Sequence, residues 1–175
     1  VGYMCKRKGF DYYLEIVNKV KSFPEKYAFL IIGDFADDDT RSMYYDFISC
    51  HSLKDKFYVT GFTKNIFRYL KYSSVVCLTS RSESLPRVVL ESMTLGLKII
   101  AFDIGGTSEL LPSNYKYLVE PYNIDIFAKY VREIALTNAH DELSMGLKHS
   151  SEFFSHEKMR SNIIQVINTV WLSKN

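Results

Sequence analysis

Two carboxylates, Glu83 and Glu91, stand eight positions apart in the stretch Glu83-Ser84-Leu85-Pro86-Arg87-Val88-Val89-Leu90-Glu91. The apolar run Val75-Val76-Cys77-Leu78 ahead of them reads as a strand, and Pro86 followed by an apolar segment ending near Gly96 reads as the start of a helix. One carboxylate therefore precedes a helix and the other lies about one turn inside it. The free N–H groups of a first helical turn, here around Arg87 and Val88, make an anion site that the helix dipole strengthens. A phosphate held there would leave Glu83 to accept hydrogen bonds from hydroxyls on one side and Glu91 to accept them from a ribose on the other. A nucleotide-diphosphate sugar presents that set of groups. Plainer roles fit as well: acid near a helix start complements the dipole, and Ser82 or Ser84 is a good cap. The spacing alone leaves both readings open. A paired-carboxylate glycosidase needs two carboxyls facing across a bond, roughly 5 to 10 Å apart, and nothing in this stretch requires that.

The elements that must position these residues follow from hydrophobic periodicity. Phe10 to Val20 sets Phe10, Tyr13, Leu14 and Val17 on one helical face. Ala28 to Ile32 reads as a buried strand ending at Gly33, and Thr40 is placed to cap a helix carrying Met43, Phe47 and Ile48. Further strands are expected at Phe57 to Thr60, Lys98 to Phe102 and Tyr117 to Val119, with short helices from Thr63 to Lys71 and from Thr107 to Leu111. Val1-Gly2-Tyr3 reads as the end of a strand, which suggests a fragment of a longer chain. Strands that are continuously apolar, joined by helices, indicate a doubly wound α/β domain: a parallel sheet with helices on both faces. Ligands of such folds bind beyond the carboxyl ends of the strands, so the loops after Gly2, Gly33, Thr60, Leu78 and Phe102 are where a site is expected.

Composition narrows the classes of function. A chain of 175 residues suits a single domain spanning 1–175, and about 70% of its unfolded surface can be buried without a staple. Lys+Arg 22 against Asp+Glu 20 gives a net charge of +2, too even for a nucleic-acid footprint, so no nucleic-acid partner is expected. Cys5, Cys50 and Cys77 are widely spaced and read as free cytosolic thiols. No apolar run approaches the roughly 20 residues of a membrane span, and a cytoplasmic chain, at most peripheral at the inner membrane face, is expected. The 13 tyrosines and 12 phenylalanines recur at core spacing without interleaved basic residues and read as packing. His51, His140, His149 and His156 are scattered, and none forms a triad with a nucleophile. Asp34, Asp37, Asp38 and Asp39 follow a strand end. They read as a solvated loop and helix cap rather than a metal cage, and no metal site is expected. Trp171 falls on the apolar side of the last helix.

Beyond these local readings, Glu83 to Glu91, continuing through Ser92-Met93-Thr94-Leu95-Gly96-Leu97-Lys98-Ile99-Ile100-Ala101 to Gly105-Gly106-Thr107-Ser108-Glu109-Leu110-Leu111, resembles the E-x7-E signature of group 1, retaining GT-B glycosyltransferases. Lys8-Gly9-Phe10-Asp11, Ile31-Ile32-Gly33-Asp34 and Phe154-Ser155-His156-Glu157 are similar to other motifs of that family, in the same order along the chain. The resemblance implies a Rossmann-like donor-binding half of a two-domain enzyme of polysaccharide biosynthesis, the acceptor-binding N-terminal domain lying elsewhere. It implies transfer of a hexosyl unit from a nucleotide sugar, most simply a UDP-sugar, to a glycan or lipid-linked acceptor, with no further cofactor. By the same resemblance Glu83 contacts the donor sugar and Glu91 the ribose. Lys8 meets the diphosphate, the amides of Ser84, Leu85 and Arg87 beside Pro86 meet sugar and phosphate, and Gly61-Phe62 lies near the base.

One departure bears on activity. The family usually has Gly-Arg in the first loop, and this chain has Gly2-Tyr3. Loss of that bidentate cation removes stabilisation of a departing diphosphate amounting to about 2–4 kcal/mol in a closed site. Lys6 or Arg7 is a candidate replacement, although both also suit a solvated loop, as do Arg81 and Arg87. Ser84 stands where the family commonly has glycine. A noncatalytic sugar-nucleotide-binding or scaffold domain, suggested by Tyr3, and a receiver-like regulatory domain, suggested by the aspartate run, remain as alternatives.

Overall fold

The computed structural model describes residues 1–22 and 27–136, with residues 161 and 165 beyond them. Phe154-Ser155-His156-Glu157, His140, His149 and Trp171 lie outside the described residues. Among the described residues, five parallel strands alternate with helices. After a 3-10 turn at Lys6–Lys8 come α1 (Phe10–Val20), β1 (Phe29–Ile31), α2 (Asp38–Cys50), β2 (Phe57–Val59) and α3 (Phe67–Leu70). They are followed by β3 (Val75–Leu78), α4 (Arg87–Thr94), β4 (Lys98–Phe102), α5 (Thr107–Leu110), β5 (Leu118–Val119) and α6 (Ile124–Leu136).

The strands form two groups, β1 beside β2 and β3-β4-β5 in that order. Phe29 is in register with Phe57, Val75 with Lys98, and Ala101 with Leu118. Between β1 and β3 lies a cavity of about 490 Å³ lined by both strands. The segment from Gly2 to Met4 runs parallel to the continuation of β1: the Gly2 amide donates to the Ile32 carbonyl and the Met4 amide to the Asp34 carbonyl, both at 2.8 Å. Its expected strand character is thus realised as backbone pairing at this one edge.

All of β4 is buried, as expected of a strand covered on both faces. Ile100 and Phe102 pack with Phe10, Leu14 and Val17 of α1 and Phe127 and Val131 of α6, whereas Ile99 and Ala101 pack with Val89 and Met93 of α4 and Leu110 of α5. The period-two alternation of one strand therefore feeds two cores, one on each face, and the fold is the doubly wound α/β arrangement that the apolar runs indicate.

Two local readings are corrected. Thr40 does not cap α2: the Asp37 carboxylate accepts from the Thr40 amide at 2.7 Å, and Thr40 is buried inside the first turn. Advancing the start of the helix by three residues exposes Met43 and buries Tyr44 with Ile48. The helix expected from Thr63 to Lys71 shortens to Phe67–Leu70: Thr63 Oγ1 accepts from the Asn65 amide ahead of the helix and Asn65 Oδ1 from the Arg68 amide within it, local side-chain bonds that compete with helix over residues 63–66.

Candidate functional site

The candidate site is assembled where the loop after β3 crosses the turn before α1. Gly9 permits the crossing. It is left-handed, at φ 64°, and a Cβ there would lie 1.8 Å from the Thr79 carbonyl oxygen. Thr79 in turn donates its hydroxyl toward the Lys8 and Gly9 carbonyls at 3.2 and 3.0 Å. Lys8 is thereby brought over the loop, and its Nζ lies 2.6 Å from Glu83 Oε1. Ser80 Oγ donates to the same oxygen at 2.6 Å. The Glu83 side chain is only 9% exposed, so its position is fixed by two hydrogen bonds, one of them charge-assisted.

The backbone of the Glu83 loop is backed by a glycine pair. Gly105 has φ +56°, and a Cβ there would stand 1.8 Å from the Glu83 carbonyl oxygen, while one on Gly106 would stand 2.3 Å from that of Ser84. The loop can sit so close to the β4–α5 turn only because Gly105 and Gly106 carry no side chains at the contact.

Pro86 occupies the N-cap of α4 with extended backbone (φ −72°, ψ 95°), and no side chain caps the helix. Ser82 and Ser84 are exposed, and neither serves as the cap that their type and position suggest. The Val89 amide bonds to the Pro86 carbonyl at 2.9 Å, so the first-turn amides of Arg87 and Val88 are not occupied by a capping side chain. Glu91, the fifth residue of α4, follows one turn on.

These residues open onto one cleft of about 530 Å³ at the carboxyl ends of the strands, lined by Gly2, Tyr3, Lys8, Phe62, Glu83, Leu85, Pro86, Arg87 and Glu91. Gly61 and Ser84 are not among the lining residues. Gly61 is held back by its neighbour Thr60, whose Oγ1 donates to the Gly61 carbonyl at 2.8 Å and receives the Gly33 amide at 3.2 Å. The cleft also includes Asp34, Thr63, Lys64, Ile66 and Phe67, which the local pattern did not mark. Their one sequence signal is position, since Asp34 follows β1 and the others lie in the loop after β2 or, for Phe67, at the start of α3. Its charged lining is mixed: Lys8, Lys64 and Arg87 against Asp34, Glu83 and Glu91.

The candidate replacement cations do not line the cleft. Lys6 and Arg7 are exposed on the 3-10 turn, and Arg81 is turned to Asp11, its Nη1 and Nη2 lying 2.7 and 2.6 Å from the two carboxylate oxygens. Those bonds hold the Asp11 carboxyl below its usual range and push the guanidinium further up. Cys77 lines the cavity between β1 and β3, and burial pushes its thiol up to about 12. The aspartate run is engaged locally: Asp37 caps α2, and Asp34 Oδ1 accepts from the Phe35 amide at 2.8 Å. Among the described residues, no helix is long and apolar enough to cross a membrane.

The uncapped start of α4 shares the cleft with Glu83 and Glu91 on a doubly wound α/β scaffold, a fold whose ligands bind beyond the carboxyl ends of the strands. Residues 1–149 match the family profile of glycosyl transferases group 1, and the chain belongs to that family. It is 27% identical over 168 residues to an uncharacterized glycosyltransferase of Haemophilus influenzae, covering 94% of this chain and 46% of that protein. It is 30% identical over 124 residues to the alpha-D-kanosaminyltransferase of Streptomyces kanamyceticus, covering 69% and 31% respectively. The chain thus spans less than half the length of these curated relatives. Among solved structures, HepE of Anabaena in complex with UDP superposes with a TM-score of 0.82 at 20% identity, over 96% of this chain and 48% of that one. That likeness establishes the shared fold.

Proposed function

We propose that this chain binds the nucleotide-diphosphate sugar of a glycosyltransferase, with the diphosphate against the Arg87 and Val88 amides, the sugar toward Glu83 and the ribose toward Glu91. The observation that carries this reading is the convergence of Lys8, Glu83, Glu91 and the uncapped start of α4 on one cleft. A UDP-sugar is the donor of choice: HepE of Anabaena has been solved with UDP and with UDP-glucose. The cleft offers amides and Lys8 as the counter-charge, and the reading needs no metal or further cofactor.

In the complete enzyme, the bond from the anomeric carbon to the diphosphate oxygen breaks and a bond to an acceptor hydroxyl forms on the same face. The acceptor's proton passes to the departing phosphate. Lys8 and the helix-start amides stabilise the charge that grows on that phosphate, while Glu83 orients the sugar. The acceptor is a glycan or a lipid-linked sugar, presented by an N-terminal domain of the same protein in the cytoplasm or at the inner membrane face. The present chain accordingly binds donor and turns it over poorly.

Tyr3 supports a second reading, a domain that binds the donor without transferring it. Tyr3 lines the cleft, and its side chain supplies a neutral donor rather than a charge. A receiver-like function is disfavoured, since Asp37 is committed to capping α2 and the chain belongs to the glycosyl transferases. Calorimetry with UDP, GDP, ADP and their sugars tests the reading. Binding of one nucleotide, tighter with its sugar attached, is expected. Indifference to all of them contradicts it.

A further inference from the structure

Outside the cleft, the two segments that carry Lys8 and Glu83 are fastened together a second time. The Arg81 guanidinium makes a two-pronged pair with Asp11, lies 4.0 Å over the Tyr12 ring, and donates to the Lys6 carbonyl. The Arg81 amide adds a bond to the Arg7 carbonyl at 2.8 Å. Neither Arg81 nor Asp11 lines the cleft. Yet Arg81 stands two residues before Glu83, and Asp11 three residues after Lys8. A planar fork against a carboxylate fixes orientation as well as distance, which a lysine's point charge does not. Thr79 ties the same two segments through a hydroxyl to two carbonyls, a contact at the base of the loop, four residues before Glu83, that sets no orientation at the Arg81 position.

We propose that Arg81 and Asp11 are positioning residues, a latch that holds Glu83 and Lys8 in the geometry that reads the donor's sugar. The proposal deepens the donor-site reading and rests on it for the sugar. The latch itself is a statement about the loop alone. Misplacing a binding group by about 1 Å costs on the order of 100-fold where geometry is critical, so a loosened Glu83 loses its contribution without any change in its own chemistry.

The test uses the full chain and its Arg81→Lys, Asp11→Asn and Asp11→Glu variants, with three readouts: thermal unfolding, amide hydrogen exchange, and calorimetry with UDP and UDP-glucose. Arg81→Lys and Asp11→Asn are expected to speed exchange of the amides of residues 79–85 by about 10-fold, as local opening predicts, with β4 unaffected. UDP affinity is expected to change less than about 3-fold, while the extra affinity that glucose brings falls about 10-fold. Asp11→Glu, which keeps the carboxylate, recovers most of both effects. Unchanged exchange in the loop overturns the latch. Faster exchange across the whole chain with early unfolding also overturns it, since the pair is then merely structural. Should the parent bind UDP and UDP-glucose equally or not at all, the donor-site reading fails and the sugar-positioning role fails with it, while the exchange data still decide whether the loop is latched.

Discussion

Lys8 and Glu83, 75 positions apart in the chain, meet as an ion pair at 2.6 Å on the wall of the cleft. Lys8 is one quarter exposed and Glu83 less than one tenth, so the pair has a wet side and a dry side. In the proposed reading, a diphosphate entering from the wet side meets an ammonium whose distance from Glu83 is already set.

Lys8→Met removes the charge and leaves the Glu83 carboxylate hydrogen-bonded to the Ser80 hydroxyl. An uncompensated, largely buried carboxylate destabilises the fold by about 1–3 kcal/mol. Nucleotide affinity is expected to fall by about 10-fold or more through the lost charge-assisted bond. Urea unfolding and calorimetry with UDP measure the two effects separately.

The two carboxylates are expected to fail differently. Glu91→Ala weakens UDP and UDP-glucose alike, by about 10-fold for one lost pair of hydroxyl contacts. Glu83→Gln leaves UDP within about 3-fold and removes the preference for the sugar-bearing ligand. Equal effects of both variants on UDP alone are incompatible with the assignment of sugar to one residue and ribose to the other.

Gly105→Ala brings a methyl to 1.8 Å from the Glu83 carbonyl oxygen at a residue with φ +56°. Left-handed backbone alone costs a non-glycine residue about 1–3 kcal/mol, and the clash forces the Glu83 loop outward. A lower denaturation midpoint is expected together with weaker sugar discrimination. The same substitution at Ser84, which is exposed and does not line the cleft, should leave both within about 0.5 kcal/mol.

Asp11 sets a pH dependence with a definite sign. Its folded pKa lies below the ordinary value near 3.8 chiefly because Arg81 donates to it. Its stabilisation is complete above that ordinary value and is lost as pH falls through the folded one. The stability difference between parent and Asp11→Asn is therefore expected to be flat from pH 7 to about 5 and to shrink below about 4. A difference that grows on acidification contradicts the geometry.

Much of the scaffold was legible because its signals are local. The limits of α1 and β4 follow directly from periodicity and an apolar run, and Glu83, Pro86 and Glu91 were marked by one contiguous stretch. The cap of α2 was misplaced because Asp37 and Thr40 are both good caps three residues apart, and only packing of Tyr44 against the core selects between them. The family resemblance implies Gly61 and Ser84 at the donor site, but neither lines the cleft: the Thr60 hydroxyl bonds the Gly61 carbonyl and the Ser84 carbonyl packs against Gly106. Lys64 and Phe67 reach the cleft from the segment after β2, one in the loop and the other at the start of α3, and no spacing within that segment encodes it. The Arg81–Asp11 pair spans 70 positions and is a product of the fold alone.

A diphosphate docked on the first turn of α4, as proposed, changes the backbone amide chemical shifts there during a titration with UDP. Saturable shifts are expected, largest at Arg87 and Val88, with Lys8 and Glu91 following. Saturable shifts centred elsewhere, or none at these amides at millimolar UDP, contradict that docking.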